Sequence, residues 1–469
     1  MGRRLAVLVV VFAALASTSA GAAAHVVPRT GVNGKSDVLP ALMNAAYGGY
    51  TTAIYVENVS HVGSTANITI TYFDATGAVA GTGDSAAIPF WGERTFRQDN
   101  GHSFAMGSAG SGVVTSDQEV AVFVNEFAPG AGADGTSYTS IQLPEGAAIA
   151  VYAPTIVNNA YGGYTTGIGL TNPGAVSDSL SVTYRDAAGT LVKTTMLTLA
   201  PHAYAGLYSG DPGLALPSGF IGTATIVAAT AGQIVAAVVN EIGPGGQFTS
   251  YDAVADVQNT LYIPAAMHNA YGGFNTGIGI FNAGDLTAHT TVTYYDAAGN
   301  PAGTPVAVVI ARGGYSGVYQ GGADGPPQSA AGYTAVITSD QPLAAIVNEI
   351  DPTGKLATSF NAETAGSGYL NFALVENAGS DGWTTGLALM NITNSMITFT
   401  LTYFDAATGS GITAIPLSLP AHGYMGRYTP SDLTTPGTRA TAWFFSSTPG
   451  LAGIANEAGA GTLMSFNGQ

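Results

Sequence analysis

Tyr271-Gly272-Gly273-Phe274-Asn275-Thr276-Gly277-Ile278-Gly279-Ile280 decides the fold of this chain, because it recurs. Tyr161-Gly162-Gly163-Tyr164-Thr165-Thr166-Gly167-Ile168 is nearly the same segment, and Tyr47-Gly48-Gly49-Tyr50-Thr51-Thr52-Ala53-Ile54 is a third copy. A worn fourth reads Asp381-Gly382-Trp383-Thr384-Thr385-Gly386-Leu387. Inside the segment Ile278 and Ile280 alternate with glycines, the period-2 pattern of a half-buried strand.

Three further blocks keep step with it. Thr-Tyr-x-Asp-Ala recurs with its aspartates at Asp74, Asp186, Asp296 and Asp405, separated by 112, 110 and 109 residues. An Asn-Glu pair recurs as Asn125-Glu126, Asn240-Glu241, Asn348-Glu349 and Asn456-Glu457. A Ser-aromatic step closes each copy at Ser137-Tyr138, Ser250-Tyr251, Ser359-Phe360 and Ser465-Phe466. A unit of about 110 residues exceeds the ~20–50 of solenoid and propeller repeats and matches a self-contained sandwich. The third copy reads as seven or eight strands: an opening one at 261–266, further runs at 303–310, 314–319, 332–338 and 343–350, and a closing one near 356–360. No segment beyond residue 24 keeps a helical period. The sequence therefore predicts an all-β chain of four tandem immunoglobulin-like β-sandwich repeats at 38–140, 152–254, 262–363 and 369–469. Short joints ending in apolar residues predict a semi-rigid rod or arc.

Composition bounds what such an array can do. Only 9% of the 469 residues are charged, against a norm of about 25%, while 64 are glycine and mean hydropathy is +0.26. The formal charge of −17 leaves no basic patch for phosphates, which argues against nucleic acid and anionic lipid headgroups as partners. Arg3, Arg4, the apolar run Leu5 to Ala16 and the small residues after it read as a signal peptide over residues 1–24, so the chain is expected to be secreted, extracellular or cell-surface. That run is shorter than the ~20 residues a membrane span needs, and no transmembrane anchor is expected. There is no cysteine, so no disulfide staples the sandwiches.

Each recurring motif has an architectural and a functional reading. The Asp of Thr-Tyr-x-Asp-Ala, followed by Gly77, Gly189, Gly299 or Gly409, has turn chemistry, because Asp bonds its own backbone two residues on. Glu126, Glu241, Glu349 and Glu457 each end an apolar strand, where a carboxylate needs a partner. They read as braces, with a Ca²⁺ site as the alternative, although a hard cation wants more oxygens than one or two per copy. Tyr50, Tyr164, Phe274 and Trp383 sit in glycine-flanked loops, either capping the sandwich or displaying a binding surface; Trp91, in the divergent stretch around Arg94, Phe96 and Arg97, is a further binding candidate. His202 and His422 share a repeat position that Trp91 and Gly313 fill elsewhere, which gives no zinc spacing. The Gly130–Gly135 run matches a dinucleotide fingerprint but leads into a strand, leaving no helix to hold a pyrophosphate.

The Asn-Ala-Tyr-Gly-Gly and Thr-Tyr-x-Asp-Ala blocks resemble those of uncharacterised secreted bacterial proteins with tandem immunoglobulin-like β-sandwich repeats, of the surface-protein and adhesin kind. The resemblance spans nearly all of 38–469. It implies surface exposure and adhesion or spacing, and it carries no catalytic residue and no cofactor. The expectation is a secreted non-enzymatic surface or matrix protein acting as spacer, adhesive or self-assembling unit, with a surface component, a glycan, a protein or another copy as partner. A multivalent carbohydrate- or protein-binding array is the alternative, and an exported hydrolase with unlocated acids the third reading.

Overall fold

The computed structural model describes residues 36–128, 135–143, 148–230, 232–379, 382–459 and 461–469. The expected signal peptide and most of the Gly130–Gly135 run lie outside them. The described chain is almost entirely β, with two single turns of helix at Gln98–Asn100 and Thr429–Asp432.

The second repeat shows the plan. One sheet runs Leu191–Leu199, Asp178–Asp186, Phe220–Ala228, Ala150–Ala160; the other runs Tyr204–Tyr208, Tyr164–Thr171, Ala236–Ile242, Phe248–Asp252, all antiparallel. The opening strand Ala150–Ala160 reaches both sheets, since the Tyr161-Gly162-Gly163 turn pairs Ala160 with Tyr164. Alternation sets the inward face: Leu180, Val182 and Tyr184 are buried beside Ile226, Val239 and Tyr251. Burying side chains of this size contributes roughly 1.5–3 kcal/mol each, which lets the sandwich stand without disulfides.

The same arrangement recurs in the other copies, with departures in the first and third: in the first the opening strand Ser36–Asn44 stays in one sheet and takes Ile141–Gln142 as an edge neighbour. In the third repeat the two predicted runs at 332–338 and 343–350 are one strand, Tyr333–Ile350, passing from one sheet to the other. Ser339–Pro342 carries turn-like residues, yet it stays extended because its two halves pair with different sheets.

The array is a closed ring, not the expected rod or arc. The closing strands Gly135–Thr139, Phe248–Asp252, Ala357–Asn361 and Thr462–Asn467 pack each on the next, and the fourth packs on the first. Thr139 N–H donates to Asp252 Oδ2 (3.1 Å), Asp252 N–H to Asn361 Oδ1 (3.1 Å) and Asn361 N–H to Asn467 Oδ1 (3.0 Å). The Gln469 amide closes the circuit on Val122, donating to its carbonyl (3.1 Å) and accepting from its N–H (2.9 Å). The cores interlock in the same sense: Tyr204 and Val238 join the first repeat's core, Ile346 the second's, Ala388 and Ile454 the third's, and Phe123 the fourth's. The same closing strands and the same Asn-to-Glu pairing recur at every joint, so four units come round to meet.

Candidate functional site

The Asn-Glu pairs lie in the joints, where they form a circular relay. Within each repeat the Asn faces the Ser of the closing strand, and the Ser hydroxyl donates to the Asn Oδ1: Ser137 to Asn125 (2.6 Å), Ser250 to Asn240 (2.8 Å), Ser359 to Asn348 (2.5 Å) and Ser465 to Asn456 (2.5 Å). Fixing Oδ1 as acceptor turns each amide N–H outward, towards the glutamate of the preceding repeat. Asn240 donates to Glu126 (3.3 Å), Asn348 to Glu241 (2.8 Å), Asn456 to Glu349 (2.9 Å) and Asn125 to Glu457 (3.3 Å). All four carboxyls are buried, and burial pushes Glu126, Glu241 and Glu349 up to about 7 and Glu457 to about 8.

Hydrogen inventory agrees with protonation. The Ser250 hydroxyl lies within bonding distance of both Asn240 Oδ1 and Glu126 Oε2 but owns one proton, so a proton on Glu126 satisfies both contacts. Among the described residues Glu241 Oε1 and Glu457 Oε1 are buried without a partner, an expensive position for an ionised carboxylate. As for calcium, each carboxylate faces an amide N–H, and among the described residues no three His, Cys, Asp or Glu side chains gather in a metal-binding group.

The glycine-flanked loops also serve the joints. Tyr50 is half-buried against Phe248 of the second repeat (ring centroids 4.8 Å apart), and Phe274 packs on its own core. Tyr164 and Trp383 are half-buried as well, beside Gly243 and Gly459. The tyrosine that opens each loop reaches further. Tyr47, Tyr161 and Tyr271 adopt φ of 50°, 49° and 48°, and their hydroxyls meet Tyr204 (3.0 Å), Tyr315 (3.4 Å) and Tyr424 (2.6 Å) of the next repeat. Tyr47, Tyr161 and Tyr271 stay about half exposed, and Tyr208, Tyr319 and Tyr428, two residues beyond the glycine of each Tyr-x-Gly-x-Tyr strand, are exposed too. Sequence reasoning passed over these six. A matched absence marks them: the fourth loop has Ser380 for the tyrosine, and the first repeat has Glu93 where Tyr204 stands.

The Thr-Tyr-x-Asp-Ala turn is the third joint element. Asp74, Asp296 and Asp405 cap their turns, accepting from Thr76 N–H (2.8 Å), Ala298 N–H (2.9 Å) and Thr408 N–H (2.9 Å). The glycine that follows abuts the next repeat so closely that a Cβ on Gly77 would lie 2.1 Å from Pro201 O, on Gly189 2.3 Å from Arg312 O, on Gly299 2.0 Å from Ala421 O and on Gly409 1.8 Å from Phe90 O. The loop it meets offers a carbonyl from a positive-φ residue. Ser111 donates to His202 O (2.7 Å), Thr223 to Gly313 O (2.9 Å), Thr334 to His422 O (2.5 Å) and Thr441 to Trp91 O (3.0 Å). His202 and His422 are thus joint residues, the first stacked on Phe73 (4.3 Å) and the second tilted against Tyr295 (4.8 Å).

The joint between the fourth and first repeats uses different chemistry. Arg439 Nη2 lies 3.2 Å from Glu93 Oε2 and Arg439 Nε 3.0 Å from Glu376 Oε1, taking the place of a tyrosine pair. Trp91 is half-buried between Phe90 and Phe404, its ring 3.9 Å from each.

Fold and joints together define a tandem all-β sandwich protein closed on itself. No family model and no curated protein matches the chain. Among solved structures, the Anabaena sensory rhodopsin transducer is similar at 23% identity and a TM-score of 0.18, over 20% of this chain and 91% of that one. Thermotoga maritima 1070 is similar at 19% and 0.19, over 22% and 89%. The Streptococcus pneumoniae pilus backbone RrgB is similar at 13% and 0.11, over 50% and 80%.

Proposed function

We propose that this chain is a secreted, non-enzymatic structural protein of a cell surface or extracellular matrix, its four sandwiches locked into one rigid ring for adhesion or self-assembly. The observation that carries the reading is the fate of the recurring acids. Glu126, Glu241, Glu349 and Glu457 are buried in the joints on asparagine amides, and the turn aspartates hold backbone N–H groups, so the repeated carboxylates are occupied by architecture. Ring closure favours an adhesive or assembling role over a spacer, because the ends a spacer needs are joined.

A second reading, multivalent glycan or protein binding, draws on the exposed tyrosines. The pairs Tyr47/Tyr208, Tyr161/Tyr319 and Tyr271/Tyr428 recur at equivalent places in three successive joints, and weak contacts repeated in this way add through effective concentration. Negative-stain electron microscopy of the secreted chain over a concentration series, with and without Ca²⁺, tests the main reading. Compact particles that associate as concentration rises, and cease to in a Tyr208→Ser/Tyr319→Ser/Tyr428→Ser variant, support it. Particles isolated at every concentration that also fail to adhere to cells or matrix overturn it.

A further inference from the structure

The ring-closing joint differs from the other three in a way its structural duty does not require. Strand register gives the equivalent residues. Tyr369 and Phe445 face each other in the fourth repeat, where the first has Ser36 and Thr115, the second Ala150 and Val227, and the third Thr260 and Thr338. Trp443, two residues before Phe445, replaces Val113, Thr225 and Val336. From the first repeat come His61, Phe90 and Trp91, whose counterparts in the second are Ala175, Pro201 and His202. Six ring-bearing residues from two repeats, absent as a set elsewhere, converge with Phe404 on a cavity of about 210 Å³. That is smaller than the ~300–1,000 Å³ of drug-sized sites and larger than a dry cavity that admits benzene.

Two buried polar atoms mark the cavity as more than a plug. Glu57, fully buried where the other repeats carry Thr171, Phe281 and Met390, accepts from Trp443 Nε1–H (2.6 Å). Among the described residues its Oε2 has no hydrogen-bond partner, the nearby Thr441 hydroxyl giving its proton to Trp91 O instead. The Trp91 Nε1–H is likewise buried and without a partner among the described residues. A carboxylate on an indole N–H feeds electron density into that ring and strengthens its negative face. Glu119 stands 4.0 Å from His61, and among the described residues no Lys or Arg lines the cavity. The lining offers too few hydrogen-bonding groups to orient the hydroxyls of a sugar.

We infer that this joint is a binding site for a small organic cation of the quaternary-ammonium class, held among the rings of Trp443, Tyr369, Phe404 and Phe445, with the stacked Trp91 beside them and Glu57 behind. Burial, reinforced by Glu93, pushes Glu57 up to about 8, with the Trp443 N–H opposing it, so the bound cation draws out the carboxylate charge. The site stands whether or not the ring adheres or assembles.

Calorimetric and tryptophan-fluorescence titrations of the full chain at matched ionic strength, with choline and its neutral isostere 3,3-dimethylbutan-1-ol, test the assignment. Choline is expected to bind about tenfold more tightly than the isostere. Phe445→Ala, at a half-exposed rim position that leaves folding intact, weakens choline about tenfold; Glu57→Gln narrows the gap between the two ligands. Flotation with phosphatidylcholine vesicles, against phosphatidylglycerol vesicles, distinguishes a lipid-borne head group from a free cation. Equal binding of choline and the isostere, binding of neither, preference for a simple pyranose, or indifference to Phe445→Ala overturns the inference.

Discussion

Replacing the four joint glutamates with glutamine should stabilise the ring above neutral pH, the reverse of what removing a buried brace normally does. Burial lifts these carboxyls from 4.5 to about 7, and Glu457 to about 8. Between those values the folded chain holds protons that the unfolded chain has released, so stability is full below about pH 4.5 and is lost as pH rises through 7. At ~1.4 kcal/mol per pKa unit, each ionised glutamate costs the ring about 3 kcal/mol at pH 8. If the ring melts as a unit, about 3 °C of thermal midpoint goes with each glutamate and about 12 °C with all four. Glutamine keeps an oxygen to accept from the asparagine amide and carries no charge. Thermal unfolding of the wild type and of Glu126→Gln/Glu241→Gln/Glu349→Gln/Glu457→Gln, followed by far-ultraviolet circular dichroism at pH 5 and pH 8, separates the cases. The wild type should melt lower at pH 8, and the variant should recover most of that gap while matching it at pH 5. A variant equally destabilised at both pH values refutes the reasoning, since the carboxylates would then be ionised braces at both.

Other joint contacts make separate predictions. Gly189→Ala and Gly219→Ala start from nearly the same φ, 80° and 83°, but a Cβ meets Arg312 O only in the first. Urea unfolding should show a loss of about 1 kcal/mol for Gly219→Ala and of about 2–4 kcal/mol for Gly189→Ala. Tyr271→Phe removes the 2.6 Å bond to Tyr424 and should cost about 1 kcal/mol by the same assay, whereas Tyr319→Phe at the exposed rim should cost nearly nothing. Arg439→Met takes the guanidinium away from buried Glu93 and from Glu376 and should lower stability by about 3 kcal/mol at pH 8. At pH 5 the loss should shrink, because burial pushes Glu93 up to about 7 and it is then protonated; an equal loss at both pH values would count against the pairing.

The sandwich was legible in the sequence because its causes are local. Alternation in Asp178–Asp186 sets an inward face whatever the neighbouring repeat does, and Asp-Ala-x-Gly closes a hairpin by its own hydrogen bonds. Ring closure was not legible, because its contacts join residues such as Asn125 and Glu457, 332 positions apart, and short joints suit a rod as well as a circle. The Asn-Glu pair held the signal in another form. A buried acid needs a donor, and in a repeat array the donor can come from the next copy, so the asparagine beside each glutamate serves the previous repeat's acid. The glycine-flanked loops misled in a similar way: their second aromatic, Tyr50 or Phe274, fills a joint or core, while the first, Tyr47 or Tyr271, bridges repeats and stays half exposed.

Covalent linkage explains how one joint could come to differ. In a ring of four separate identical copies any joint substitution appears four times, and its cost multiplies by four. In one chain each joint is encoded once, and its two sides can change together. Arg185 is the single non-aromatic residue at its turn position, and the loop it covers is the one carrying Gly313, where a Cβ would lie 2.6 Å from Arg185 Cδ. Elsewhere an aromatic at that position faces a ring: Phe73 faces His202, Tyr295 faces His422 and Phe404 faces Trp91. The ring-closing joint extends the same logic, with Ser380 and Glu93 replacing the tyrosine pair and Arg439 restoring the lost contact as an ion pair. Once Arg439 holds that joint, Tyr369, Trp443 and Phe445 are free to gather rings around a cavity without weakening the other three joints.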